Sequence, residues 1–291
     1  MRRLIVNADD FGLTHGVNRG IVEASKNGVV TSTTLMASGP AFSEAVCVAQ
    51  SVPQLSVGCH VLLVDGSPIL DADRVSSLIA ARDRTDRARF FHGFGGLAVR
   101  GTSGKLVPEQ IEAEATAQIR KLQAAGVRVS HLDTHKHTHM LPQVLAPLLR
   151  AATACGVGKV RNPFEFARLS LLTQRAGMWK RLAQVKILGS LAGKFRKEVR
   201  QAGMLTPDGT FGVVSTGWLD ERLLKFMIEH LAEGTWELVC HPGYNDQDLE
   251  QVRTGLRVSR ERELQLLGSS QVRKLLEDAG IELISYAQFG E

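Results

Sequence analysis

The sequence predicts an α/β barrel, with parallel strands inside and helices outside. Three observations point there. At 291 residues the chain is long enough for one barrel of ordinary size with an insertion, and a single domain over residues 1–291 is expected. Short β-rich runs alternate with longer segments of helical composition, which is the rhythm of a parallel sheet wound through crossover helices. Four of the runs end in Asp or His, and in a closed parallel barrel all C-terminal strand ends share one face.

Taken along the chain, the strands are Arg3–Ala8, Val30–Ala37, Leu55–Leu63, Val127–Thr134, Gly158–Asn162, Gly212–Ser215, Trp236–His241 and Glu282–Tyr286. Eight candidates suit a closed or nearly closed barrel. The helices between them are Gly16–Asn27, Ala41–Ser51, Pro108–Ala125, Pro142–Cys155, Asp220–Ala232 and Ser259–Ala279. Pro108 and Pro142 fit a first helical turn, whose N–H groups lack intrahelical partners anyway, and Gly126, Gly156 and Gly280 follow the last periodic residues as stops. Between Leu70 and Gly104 the pattern dissolves into polar and Gly-rich sequence around Arg89-Phe90-Phe91-His92-Gly93-Phe94-Gly95-Gly96. This reads as a long loop of the kind that shapes a pocket above a barrel. No internal repeat or low-complexity tract interrupts the pattern.

Composition excludes several classes. No apolar run approaches the length that spans a bilayer, and the run after Arg2 and Arg3 stops at Asn7, too early for a secretory signal, so a cytoplasmic location is expected. Cys47, Cys59, Cys155 and Cys240 lie far apart without a CxxC pair, which argues against a structural zinc site or a disulfide framework and for buried thiols. Cys59 and Cys240 directly precede His60 and His241. On a strand neighbours point to opposite faces, so histidines facing a site put these thiols against the outer helices.

Residues Arg161–Gln201 differ in character, with ten Lys or Arg against Glu165 and Glu198. Trp179, Leu182, Val185, Ile187, Leu188, Leu191 and Phe195 recur there at roughly helical spacing, interleaved with Lys180, Arg181, Lys186, Lys194, Arg196 and Lys197. A helical insertion over about 164–206 is expected. Its basic amphipathic pattern suits either an anionic membrane surface or packing on the barrel with a solvated basic face. No nucleic-acid-binding module accompanies the charge, so no nucleic-acid partner is expected. The oligomeric state stays open, a homodimer included.

The chemistry gathers at strand ends. Asn7-Ala8-Asp9-Asp10-Phe11-Gly12 places two adjacent carboxylates after the apolar run Arg3-Leu4-Ile5-Val6. Adjacent acids repel and need a counter-charge, for which a bound cation is the simplest source; alternatively, one Asp caps the next helix. Val57-Gly58-Cys59-His60 ends a second strand with an imidazole, and Leu238-Val239-Cys240-His241-Pro242-Gly243 ends another, with Pro and Gly stopping the strand just after His241. Between them, His131, Asp133, His135, His137 and His139 occupy alternate positions, so they project to one side for as long as the segment stays extended. The chain is expected to leave the strand near Lys136, which puts His135 at the strand end and His137 and His139 in the following loop.

An Asp and two His leave open positions on a divalent ion, as a catalytic metal requires. Water on that ion becomes more acidic, a free carboxylate can take its proton, and a protonated imidazole off the metal can protonate a leaving group. These parts compose a metal-assisted hydrolase suited to an amide, because an amine leaves poorly unless protonated. The donor set accepts Zn, Mg, Mn or Fe, with Mg or Zn expected. Two alternatives remain at this level. A metal-dependent phosphoesterase could use His137 and His139 for a second ion. A non-catalytic sugar-binding barrel would be expected to have lost at least one of Asp9, Asp10, His60, His135 and His241, and all are present.

The Asp9-Asp10 motif, Gly58 to His60, the run from His131 to His137 and Cys240-His241-Pro242 together resemble the YdjC-type carbohydrate deacetylases, which include the chitooligosaccharide deacetylases. The resemblance implies a TIM-like (β/α) barrel, distorted or reduced to seven strands, that removes acetyl groups from N-acetylated sugars. It implies one divalent metal held by Asp10, His60 and His135, with Asp9 as general base and His241 as general acid. It also implies that Arg161, in Val160-Arg161-Asn162-Pro163, orients Asp9 or the substrate, and it puts His139 at the substrate. The segments His60-Val61-Leu62-Leu63-Val64-Asp65-Gly66 and Arg89-Phe90-Phe91 resemble the branch associated with hopanoid biosynthesis. That branch implies an N-acetylglucosaminyl group carried on a hopanoid lipid as substrate, with which peripheral membrane contact through 161–201 agrees.

Overall fold

The computed structural model describes residues 1–83, 86–165, 179, 183, 186 and 188–291. At its centre lies β1 (Arg2–Phe11), a ten-residue strand buried over most of its length. It pairs in parallel with β2 (Ser32–Leu35) near its C-terminal end and with β8 (Gly234–Cys240) along Arg2–Ala8. At Arg2–Leu4 it also pairs with β9 (Ile281–Leu283). From β2 the sheet continues to β3 (Ser56–Val61) and β6 (Leu132–Thr134), and from β8 to β7 (Gly209–Phe211). Parallel bridges Leu132–Val160 and Glu165–Thr210 link β6 through residues 159–165 to β7, so the sheet curls round on itself. The fold is a curled parallel TIM-like sheet with helices outside.

Alternation along the strands sorts the interior into two compartments. Leu4, Val6 and Ala8 of β1, Val57, Cys59 and Val61 of β3, and Leu238 and Cys240 of β8 join the main core beneath the outer helices. The residues between them, Asn7, Asp9, His60 and Glu237, are buried inside the curl. Its floor is the small cluster Ile5, Ile284, Tyr286 and Phe289. His131 lies just above, stacked on Tyr286 at 3.6 Å between ring centroids and bonded to Ser130 Oγ and Asn7 Oδ1. Gly58 is the complement of that ring: a Cβ there would come 2.5 Å from His131 Cε1.

Six helices form where they are expected or nearly so: α1 (His15–Lys26), α2 (Phe42–Gln50), α4 (Pro108–Ala124), α5 (Pro142–Ala154), α7 (Glu221–Glu229) and α9 (Val258–Leu267). The last expected helix ends at Gly268, and Ser269 caps a separate α10 (Ser270–Asp278) by accepting from the Gln271 amide. Residues 70–104 are more ordered than a loop. They contain a 3-10 stretch Ala72–Leu78, an antiparallel hairpin β4 (Ile79–Arg82) and β5 (Ala88–Phe90), and α3 (Gly93–Thr102). The strand expected at Gly212–Ser215 forms three residues earlier. Gly212 has φ +101°, and a Cβ on it would lie 2.2 Å from the Val239 carbonyl oxygen, so the chain turns away there. The cysteines are free, and Cys47 departs from the buried expectation by being exposed.

Most of the expected insertion lies outside the described residues. Within it, a 3-10 turn Gly189–Leu191 leads into α6 (Ala192–Gln201), whose Phe195 and Val199 are buried while its basic residues stay outside. Phe195 packs on Phe164 at 5.5 Å between centroids. A short α8 (Gln247–Glu250), capped by Asp246, precedes α9. No helix among the described residues is long and apolar enough to cross a membrane.

Glu165, at the start of this region, is buried with Oε2 accepting the Val214 amide at 2.6 Å and Oε1 lacking a partner among the described residues. Burial outweighs its backbone hydrogen bonds and pushes its pKa to about 7. A carboxyl raised this way contributes stability fully below its ordinary value, and that contribution is lost as pH rises through 7. Glu165→Gln should therefore gain on the wild type between pH 5 and pH 8, by roughly 2–3 kcal/mol in denaturant titrations. A constant difference across that range would contradict the assignment.

Candidate active site

Strict alternation would send Asp9 and Asp10 to opposite faces of β1. The register against β2 shifts between Ala8 and Phe11, and Asp10 takes φ +69°, a left-handed conformation that Asp tolerates better than most residues. That turn brings Asp10 back to the mouth of the curl beside Asp9. The adjacency in sequence thus becomes adjacency at one site through a local departure from strand geometry.

Asp9 is 3% exposed and tightly held. Arg161 Nη2 and Nη1 donate to its two oxygens at 2.6 and 2.8 Å, and Asn7 Nδ2 donates at 3.0 Å. Burial acts to raise the Asp9 pKa, but the Arg161 guanidinium overrides it and holds the carboxyl well below the usual range. The same guanidinium, itself fully buried, donates through Nε to Glu237 at 2.8 Å and pairs with Asp133. One cation is thereby shared among three carboxylates. Glu237 is the least compensated: burial lifts its pKa to about 7 despite Arg161 and a 2.6 Å bond from the Tyr286 hydroxyl.

Asp10 divides its two oxygens. Oδ2 accepts from Arg260 Nη2, while Oδ1 is buried with no hydrogen-bond partner among the described residues. Oδ1 faces His135 Nδ1 at 3.3 Å and His60 Nε2 at 3.6 Å, and those nitrogens are 3.1 Å apart. An ion bound at about 2.0–2.2 Å by N and O donors keeps its ligand atoms roughly 3–3.5 Å from one another. The three donor atoms therefore fit a divalent ion. His60 is oriented for this by Asp133, whose Oδ1 lies 2.7 Å from Nδ1, the carboxylate–imidazole arrangement that leaves Nε2 free to ligate. Burial opposes a proton on His60, yet Asp133, Asp9 and Asp10 raise its pKa to about 9. The cluster calls for positive charge.

His241 is on the other side. Its Nε2 lies 4.0 Å from Asp9 Oδ2, its amide donates to Glu263 Oε2 at 2.6 Å, and its Nδ1 has no partner among the described residues. Burial, helped by Arg260 and Arg161, takes its pKa down to about 4 against the pull of Asp10 and Asp9. The imidazole at rest is neutral, where the sequence suggested a protonated one.

The histidine run leaves the strand near Lys136, as expected. Lys136 and His137 adopt φ +54° and +53°, which ends the alternation immediately after His135. His131 goes to the floor, Asp133 to the interior and His135 to the mouth, while His139 folds behind. His139 is fully buried, with Nδ1 at 2.7 Å from Thr134 Oγ1 and Nε2 at 3.3 Å from the Arg161 carbonyl. Above the site opens a cleft of about 1400 Å³, lined by Asp9, Asp10, His135 and His241. Arg161, expected to orient Asp9 or the substrate, is brought to Asp9, and neither it nor His139, expected at the substrate, is among its lining residues.

Several residues here escaped the sequence reading. Glu237 could have been noticed as a single acid inside an apolar strand. Arg260 and Glu263 sit in the alternating Arg-Glu stretch of α9, which reads as a solvated helix face, and only the fold shows both to be buried.

A family model described as YdjC-like protein matches residues 3–278. The chain belongs to the YdjC-like family. This YdjC-like chain is 33% identical to a carbohydrate deacetylase of Brevibacillus brevis, over 99% of its own length and 100% of that protein's. It is 32% identical to a carbohydrate deacetylase of Vibrio cholerae, covering 98% of itself and 95% of the relative. Among solved structures it is similar to an Enterococcus faecalis protein described as a cellobiose-phosphate cleavage protein. That likeness has a TM-score of 0.75 and 29% identity, and spans 98% of this chain and 97% of the other.

Proposed function

We propose that this YdjC-like chain is a metal-dependent carbohydrate N-deacetylase, a single-domain hydrolase that releases acetate from an N-acetylglucosamine-type sugar. One observation carries the reading: Asp10 Oδ1, His60 Nε2 and His135 Nδ1 converge within 3.6 Å of one another, at a mouth that also holds Asp9 and His241. The relatives named carbohydrate deacetylases support the substrate class.

Asp10, His60 and His135 would hold the ion, which when bound makes a water more acidic and polarises an amide carbonyl. Asp9 is the base. Arg161 keeps it ionised and fixes its plane, and a carboxylate has lone pairs to spare beyond the two facing the guanidinium. The low basicity that Arg161 imposes favours passing the proton on, and His241 Nε2 stands 4.0 Å away to receive it. His241, neutral at rest, thus becomes the acid within the turnover and protonates the departing nitrogen. The oxygen of the deprotonated water bonds to the acetyl carbon, and the C–N bond breaks with the His241 proton on the departing nitrogen, giving acetate and the free glucosamine.

The cleft walls favour an amphiphilic substrate. Leu13, Met36, Phe94, Met140, Val252 and Leu256 are among its lining residues, and its volume exceeds the roughly 300–1,000 Å³ of ordinary ligand pockets. These walls support a sugar carried on an apolar aglycone, such as a hopanoid lipid. The basic stretch 161–201 suits a cytoplasmic enzyme that meets such a substrate at the membrane surface. The phosphoesterase alternative draws a second ion to His137 and His139, but both nitrogens of His139 already face partners.

Metal-loaded protein should release acetate from an N-acetylglucosaminyl lipid or from N-acetylated chitobiose, and acetate from neither would overturn the reading. His60→Ala and His135→Ala should each abolish stoichiometric metal retention on elemental analysis. Retention of a full equivalent by both variants would remove these residues from the ligand set.

A further inference from the structure

We infer that Asp65 is a positioning residue for His135, a role that rests on the metal-site reading above. The two imidazoles facing Asp10 are built differently. His60 is backed directly by Asp133, whose carboxylate fixes the ring from its far nitrogen. His135 has its far nitrogen, Nε2, directed towards Asp65 Oδ2 at 3.9 Å, an ion-pair distance longer than a hydrogen bond. Asp65 reaches the ring by a second route as well. Its Oδ2 lies 2.6 Å from Lys136 Nζ, and Lys136 is the residue whose left-handed backbone turns the chain at the end of β6. Holding that side chain therefore helps hold the turn that aims His135 at the mouth.

Asp65 is itself anchored from several directions. Its Oδ1 accepts the Gly93 amide at 3.0 Å and pairs with His92 Nδ1, and its own amide donates to the Phe91 carbonyl at 3.0 Å. It has φ +59°, a conformation that persists only where surrounding contacts enforce it. The segment that carries it is clamped from α4: Gln118 exchanges two 2.8 Å bonds with the Leu62 backbone, and Glu114 accepts the Ile69 and Leu70 amides. A buried carboxamide and a buried carboxylate on an outer helix thus fix a loop whose tip meets His135. The metal site's second imidazole takes its orientation from this loop, as its first takes it from the barrel interior.

The test is Asp65→Asn, which keeps the shape and the acceptor for Gly93 but removes the charge. Two measurements are made on it. In the metal-free protein at alkaline pH, ¹⁵N shifts of the His135 ring should show mainly the Nε2–H tautomer in the wild type and a mixed population in the variant. Competition with a chelator should show zinc bound about 10–100-fold more weakly by the variant, as is usual when the partner behind a ligand histidine is lost. Asp65→Glu should recover part of that affinity. An unchanged tautomer with unchanged affinity would overturn the assignment. So would a loss of affinity with an unchanged tautomer and a lowered metal-free melting temperature, since that marks a structural role alone. If the wild type and His135→Ala bind zinc equally, the metal site fails while the tautomer measurement still decides the role of Asp65.

Discussion

On the proposed mechanism, Asp9→Asn is expected to fold, bind a metal as tightly as the wild type and lose turnover by about 10²–10⁴-fold, the usual contribution of a positioned general base. The amide still accepts from one arm of Arg161 and from Asn7, so the mouth keeps its shape, while Asp10, His60 and His135 are untouched. If protons pass from Asp9 to His241 as proposed, the loss should fall on kcat with little change in KM. Burst-free single-turnover assays beside metal analysis would separate these quantities. Normal turnover by the metal-replete variant would place the base elsewhere, with Asp10 as the next carboxylate in reach.

Arg161→Met should produce the largest change in stability. The guanidinium is fully buried and faces Asp9, Asp133 and Glu237, so its removal leaves three interior carboxylates without their shared cation. Breaking one buried pair from one side typically costs about 3–5 kcal/mol. For a chain of this size that predicts a fall in melting temperature of roughly 10 °C or more. Adding Glu237→Gln should recover part of the loss, because burial already drives that carboxyl towards its neutral form, with a pKa of about 7. A double variant no more stable than Arg161→Met would show that Glu237 is not the group left stranded.

The barrel was legible because its strands are apolar runs with abrupt chemical ends. β1 and β8 stop at Asp-Asp and at His-Pro-Gly, and the structure puts both ends at one mouth. Positions that depend on local backbone geometry were less legible. The turn of Asp10 arises from a register shift against β2, which no run of residue types announces. The chain leaves the strand near Lys136 as expected, but the left-handed backbone of Lys136 and His137 by which it turns is announced by no residue type. Residues 70–104 looked like a loop because the hairpin is rich in Arg and Asp and α3 carries Gly at several positions, and packing, such as Phe91 against Gly96, decided their structure. Arg161 announced itself only as a charge beside a short strand, and its three carboxylate partners come from three other strands.

Helix α9 adds a mechanical point. Arg260 and Glu263 lie one turn apart on it, and one grips the side chain of Asp10 while the other grips the backbone of His241. Three residues of α-helix advance about 4.5 Å, and that rise is among the least deformable lengths in a protein. The helix therefore works as a gauge block set across the mouth, spacing the Asp10 carboxylate, proposed to hold the ion, from the His241 imidazole, proposed to carry the proton. Loops along the rim are then free to vary, because the spacing between Asp10 and His241 is kept by the pitch of a single helix.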